Sequence, residues 1–258
     1  MTVLLIKQLR KPTFGLRALI FAVLFSFSLL SEAKDLVLQS GPEKTAMIEL
    51  YSSEGCSSCP PAEAWLVSLR RDKNLWKTFV PMEFHVDYWN RLGWVDPFSN
   101  KQFTKRQHRY ASEWQSSRVY TPGFAKNGEE WRGKKTTPLK KGNQKVGVLK
   151  VQGLSDRQFK VEFSPQGSPK GSYKVHGALL GNGLSTKVPR GENAGEVLKH
   201  EFVVLTQAEG VMTKKNSKFL AALKLPKSVK AKAGSYSVAF WVTSGGSQKP
   251  IQVVGGDL

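Results

Sequence analysis

With 258 residues and a formal net charge of +19, the chain has length for one large domain or two small ones. Its hydrophobic content of 40% and aromatic content of 10% exclude a disordered polymer. The excess of lysine and arginine raises nucleic-acid binding. However, the lysines are scattered singly through strand-like segments, without a recognition helix or an aromatic stacking pattern, so no nucleic-acid partner is expected. The basic residues read instead as a solvated face able to rest against anionic membrane lipid or cell wall.

In chain order, Lys7, Arg10, Lys11 and Arg17 precede an apolar and small-residue run from Ala18 to Leu30, which is shorter than a bilayer span. Ser31-Glu32-Ala33 then places small residues where a signal peptidase reads them. Residues 1–33 are therefore expected to be a signal peptide cut near Ala33, and the mature chain to be exported, to the periplasm in a bacterium. Export changes the meaning of the chain's two cysteines, Cys56 and Cys59, because a disulfide persists outside the cytosol. A C-x-x-C bridge closes too small a loop to stabilise a fold much, so chemistry is the better reason for the pair.

The pair lies between a strand predicted over Thr45–Tyr51 and a helix predicted over Ala62–Leu69. Backbone N–H groups and the helix dipole there favour a thiolate. Cys56 precedes the helix and is assigned as the attacking, more exposed sulfur, with Cys59 as the buried resolving thiol. Gly55, Ser57 and Ser58 support tight backbone geometry, and Pro60 and Pro61 fall in the first helical turn, where missing N–H donors cost least. Glu54 would oppose thiolate formation if it lay close.

Phe79–Val86 reads as a second strand, followed over residues 87–98 by an aromatic loop whose Trp89 and Trp94 could line a cleft. Ser99 and Gln102 suggest a capping box opening a helix that ends near Trp114. Its apolar face carries Phe103, Tyr110, Ala111 and Trp114, with Lys105, Arg106 and Arg109 largely elsewhere. Thr121-Pro122 opens a third strand, and Asn127-Gly128 signals a type I′ hairpin.

This order of strand, helix, strand, helix, strand, strand resembles the thioredoxin fold, in which a cis proline lies against the cysteine pair. The resemblance implies that Thr121 and Pro122 support substrate binding. More narrowly, ELYSSEGCSSCPPAE, FHVDYWNRLGWVDPFSNKQFTKRQ, VYTPGFAKNG and PRGENAGEVLKH are similar to an uncharacterised family of secreted thioredoxin-like proteins with a C-x-x-C motif, a domain of unknown function. It implies an α/β thioredoxin-like domain over residues 34–142 and a β-rich one over 143–258, without an established activity.

Residues 133–142 are too rich in Gly, Pro and Thr for a closing helix and read as a linker. Beyond Lys145, short runs alternate with period two, as in Val146/Val148 and Val238/Phe240/Val242, which predicts an all-β sandwich-like domain, α+β for the whole chain.

The expected activity is thiol–disulfide exchange between the Cys56–Cys59 pair and a protein or small-molecule thiol or disulfide, with no cofactor. One alternative is a non-enzymatic Cu(I) or Zn carrier using Cys56, Cys59 and His85. Another is a structural or interaction protein with an inactive pair. His85 reads first as a strand-end residue and His108 as solvated. His176 and His200 have no visible partner, and Asp87 and Asp96 read as loop carboxylates.

Overall fold

Strong β-propensity and period-two burial dominate the chain. In the computed structural model, which describes residues 36–132, 139–155, 157–167, 171–228 and 232–258, most elements are strands. The first half holds β1 (Val37–Gln39), β2 (Ala46–Ser52), helix α1 (Pro60–Ser68), β3 (Phe79–His85), helix α2 (Lys101–Glu113), β4 (Gly123–Lys126) and β5 (Glu129–Glu130). The second half holds β6 (Gly147–Gly153), β7 (Gln158–Pro165), β8 (Tyr173–Asn182), β9 (Leu184–Lys187), β10 (Val197–His200) and β11 (Val203–Val211). It continues with β12 (Thr213–Lys215), β13 (Lys218–Lys224), β14 (Ser235–Ser244) and β15 (Pro250–Asp257). The expected signal peptide and residues 133–138 of the expected linker lie outside the described residues. No helix among the described residues is long and apolar enough to cross a membrane.

The expected α/β thioredoxin-like domain is not what forms. Strands predominate, α1 and α2 are the α-helices among the described residues, and strands from both halves share one eight-stranded sheet in the order β15-β14-β8-β11-β3-β2-β4-β5. The sheet turns from the first half to the second at β3, which runs parallel to β2 on one side and to β11 on the other. Residues 34–258 accordingly behave as one compact unit, and the sheet continues across position 142.

The sandwich expected of the second half is present as a second sheet, β1-β6-β7-β13-β12, stacked on the first. Leu149, Val151, Phe159, Val161 and Phe163 meet Val175, Leu179, Val238, Phe240 and Val242 between the layers. Alternation puts Leu179 into that layer and its neighbours Ala178 and Leu180 into the other core, which they share with side chains of β2, β3, α1 and α2. In β6 the inward residues are Leu149 and Val151, so Val146 and Val148 are only half-buried; the alternation has the expected period but the opposite phase. β13 (KFLAALK) was not predicted; its Ala and Leu content suits a helix equally well, and pairing with β7 decides the outcome.

Helix α2 is capped by Asn100, whose side chain accepts from the Gln102 N–H, rather than by Ser99, whose hydroxyl bonds the Asp96 carbonyl. Arg106 does not reach solvent as its spacing suggested. It is buried, donates from Nε to Glu49 at 2.8 Å, and lies over the Trp241 ring of β14. The Asn127-Gly128 hairpin forms as expected, with positive φ at both turn residues and Lys126 paired to Glu129.

Candidate functional site

The cysteines occupy the turn that carries β2 into α1. The Cys56 N–H bonds the Ser53 carbonyl, the Cys59 N–H bonds the Cys56 carbonyl, and the Cys59 carbonyl accepts from Ala62 and Glu63, so the backbone winds into the helix before Pro60 opens it. Pro60 and Pro61 sit in the first turn as expected, where no intrahelical donor is lost. Both cysteines are free thiols, and both are fully buried, which corrects the expectation that Cys56 is the more exposed sulfur. The neighbouring Ser57 and Ser58 side chains are the exposed part of the motif.

The two sulfurs nevertheless differ in charge. A hydrogen bond from Cys59 outweighs burial at Cys56, and with the Ser58 hydroxyl, the Thr121 hydroxyl and the Ser58 backbone it lowers the Cys56 thiol to about 6. The Ser58 Oγ lies 3.3 Å from the Cys56 sulfur. Burial, followed by the adjacent Cys56, drives Cys59 far upward, so one sulfur holds the charge and the other the proton.

Thr121 is brought to Cys56 from the start of β4, beside Pro122 and across a cis peptide bond. Trp89 holds it there, its indole N–H donating to the Thr121 hydroxyl at 2.8 Å. Gly55 lets this loop close down, since a Cβ there would sit 3.0 Å from the Trp89 Cβ. Trp94 donates its indole N–H to the Glu54 carboxylate at 2.8 Å, on which side His200 also lies, and Glu54 is not among the groups that set the Cys56 charge.

The loop between β9 and β10 clasps the motif, a role sequence reasoning missed. Asn193, buried, donates from Nδ2 to the carbonyls of Glu54 at 2.8 Å and Cys56 at 3.1 Å. Glu192 accepts from the Ser57 N–H at 3.1 Å and the Ser57 hydroxyl at 2.7 Å. The signal was present in PRGENAGEVLKH, a polar stretch in an otherwise strand-rich half, but its partner lies 137 residues away.

Beneath the turn, β3, β10 and α1 bring together Glu83, His85, His200 and Glu63, all buried, with Glu54 and Asp96 at the margin. His85 accordingly faces Asp96 through Nδ1 at 2.7 Å and Glu83 through Nε2 at 3.3 Å, and its ligand atoms converge with Glu83 and His200 rather than with the two sulfurs. Burial opposes charge on His85, but Asp96 and then Glu83 outweigh it and hold the imidazolium form well above its usual range. His200 is likewise raised, with Glu54 and Glu83 overcoming burial. Burial and the Glu83 charge push Glu63 up to about 7, and Asp96 is lowered by His85 against the effect of burial. Two titratable residues two apart in the apolar strand FVPMEFHV marked this cluster in the sequence. His176 is separate, stacked on Trp241 and lowered to about 3 by burial.

A family model described as "Protein of unknown function (DUF1223)" matches residues 47–243, which span the cysteine turn, β3 and the β9–β10 loop. No curated protein matches the chain. Among solved structures, the Agrobacterium tumefaciens protein AGR_C_4864 is similar at 23% identity and a TM-score of 0.56, over 85% of this chain and 96% of its own. HBP35 of Porphyromonas gingivalis is similar at 11% identity and a TM-score of 0.55, over 85% of this chain and 76% of its own. At these identities the likeness concerns the fold.

Proposed function

We propose, for a chain that belongs to the DUF1223 family, that the Cys56–Cys59 pair is an exported thiol–disulfide exchange centre acting on a protein or small-molecule disulfide. The observation that carries this reading is the placement of the pair at the entrance of α1, with the Cys56 sulfur 3.3 Å from the Ser58 hydroxyl and beside Thr121, surroundings that lower Cys56 to about 6 while burial raises Cys59. A thiolate attacks disulfides and a thiol does not, so the pair has an attacking sulfur and a reserve proton at neutral pH.

In the reducing direction the Cys56 thiolate attacks one sulfur of a substrate disulfide, forming a mixed disulfide and releasing the other sulfur as a thiolate that takes a proton from water. Cys59 then gives its proton to the bound substrate sulfur and attacks Cys56. The Cys56–Cys59 disulfide forms, the substrate leaves as its second thiol, and two electrons have passed from the chain to the substrate. The reverse sequence oxidises a dithiol. Thr121 and Ser58 hold the charged sulfur between turnovers.

Both sulfurs are covered, so exchange requires the turn to open toward its exposed Ser57–Ser58 side. The test is reduction of a model disulfide by the purified mature chain with a thiol regenerant. Turnover is expected, and the Cys56→Ser variant is expected to lose it while Cys59→Ser stalls as a mixed disulfide. Equal turnover in the Cys56→Ser variant refutes the reading.

A further inference from the structure

We infer that Glu83, His85 and His200 form a site for a divalent transition-metal ion, with Zn2+ the best match, built separately from the cysteine pair and with the Glu63 carboxylate standing beside His200. This inference is independent of the thiol reading. β3 presents Glu83 and His85 on one face, the last residue of β10 supplies His200, and the first turn of α1 supplies Glu63. Glu83 Oε1 lies 3.3 Å from His85 Nε2 and 3.8 Å from His200 Nδ1, and Glu63 Oε2 lies 3.7 Å from the same His200 Nδ1. A tetrahedral ion with ligands at about 2.0–2.2 Å separates them by roughly 3.4 Å, close to the two Glu83 separations, and the ligand atoms of Glu83, His85 and His200 all lie within 4.8 Å of one another.

The unused atoms point the same way. Both oxygens of Glu83, Nε2 of His85 and both ring nitrogens of His200 are buried without a hydrogen-bond partner. Leaving so many strong polar atoms unpaired is costly, and a cation between them would give one from each of the three residues a bond. Glu63 is anchored through its other oxygen, which accepts the Ser52 hydroxyl, so Oε2 remains free to face inward.

The far side of each imidazole meets a carboxylate. His85 Nδ1 contacts Asp96 at 2.7 Å, and His200 Nε2 approaches Glu54 at 3.4 Å. A carboxylate behind a histidine fixes its tautomer and strengthens its ligating nitrogen, the usual arrangement around bound zinc. Asp96 is itself held by the N–H groups of Glu54 and Phe98. Binding the ion displaces the proton that each imidazole otherwise carries, so the two imidazoles ligate as neutral groups while the Glu83 carboxylate, with Glu63 beside His200, offsets the charge of the dication in an enclosed site.

The test refolds the mature chain with Zn2+, dialyses it, and measures zinc per chain together with zinc X-ray absorption. One zinc per chain is expected, with nitrogen and oxygen neighbours only, and the Cys56→Ser/Cys59→Ser double variant is expected to retain it. Asp96→Asn, which touches His85 rather than the ion, should weaken retention by about 10–100-fold. Wild-type protein that retains no zinc, an absorption spectrum with sulfur at about 2.3 Å, or loss of zinc in the cysteine double variant overturns the inference. If the Asp96→Asn chain fails to fold, the wild-type zinc content and spectrum decide the matter alone.

Discussion

The Arg106 guanidinium lies fully buried between β2 and β14, where it donates to Glu49, lies over the Phe84, Tyr110 and Trp241 rings, and has Nη1 near Gln248. Glu49 is completed by the Tyr110 hydroxyl at 2.6 Å. Removing one partner of such a pair leaves a buried charge alone, so Arg106→Ala is expected to destabilise the chain by ~3–5 kcal/mol, read as a lower urea midpoint at unchanged slope. A loss below ~1 kcal/mol would mean that Glu49 finds water or a proton and that the pair matters little. This residue was illegible from helical spacing, which places a basic side chain off the apolar face but cannot see a carboxylate on a strand 57 positions earlier. Cys56 and Cys59 were legible because their spacing, with two prolines following, describes a helix entrance locally. Their burial was not, since the cover comes from distant segments.

At the scale of elements, the β9–β10 loop is what turns a strand-to-helix corner into an enclosed site. Asn193 spends both of its donor contacts on backbone carbonyls that flank the first sulfur. Asn193→Ala should free those carbonyls and favour opening by ~1.4 kcal/mol, so that Cys56 alkylation at neutral pH accelerates about tenfold while the folded spectrum is kept. An unchanged rate would place the opening motion elsewhere, at the Trp89–Thr121 side. The two tryptophans in the 87–98 segment act as pins rather than as a cleft lining, each committing its indole N–H to one group of the site. Their aromatic character was visible in the sequence; what they hold depends on the turn they fold against.

For the whole molecule, individual strands were largely legible, because alternation and β-branched content are local properties. Their arrangement was not. Whether β11 joins β3 or closes a separate sandwich is decided by which apolar edge it finds, and β3 offers an unpaired parallel edge beside β2 that β11 takes. That pairing merges the expected domains, brings His200 under the cysteine turn through the adjoining β10, and makes the site a product of both halves of the chain.

The charge division of the pair rests on this assembled environment. Cys56 is lowered, so its reactive thiolate is lost as pH falls through about 6 and is fully present above it. The most direct measurement is therefore the rate of iodoacetamide modification of Cys56 in the intact reduced chain, followed by mass spectrometry from pH 4 to pH 10. A rate that rises to a plateau with its midpoint near 6, with Cys59 unmodified throughout, is the predicted result. A midpoint at the ordinary thiol value of ~8.5, or modification of Cys59 ahead of Cys56, would contradict it.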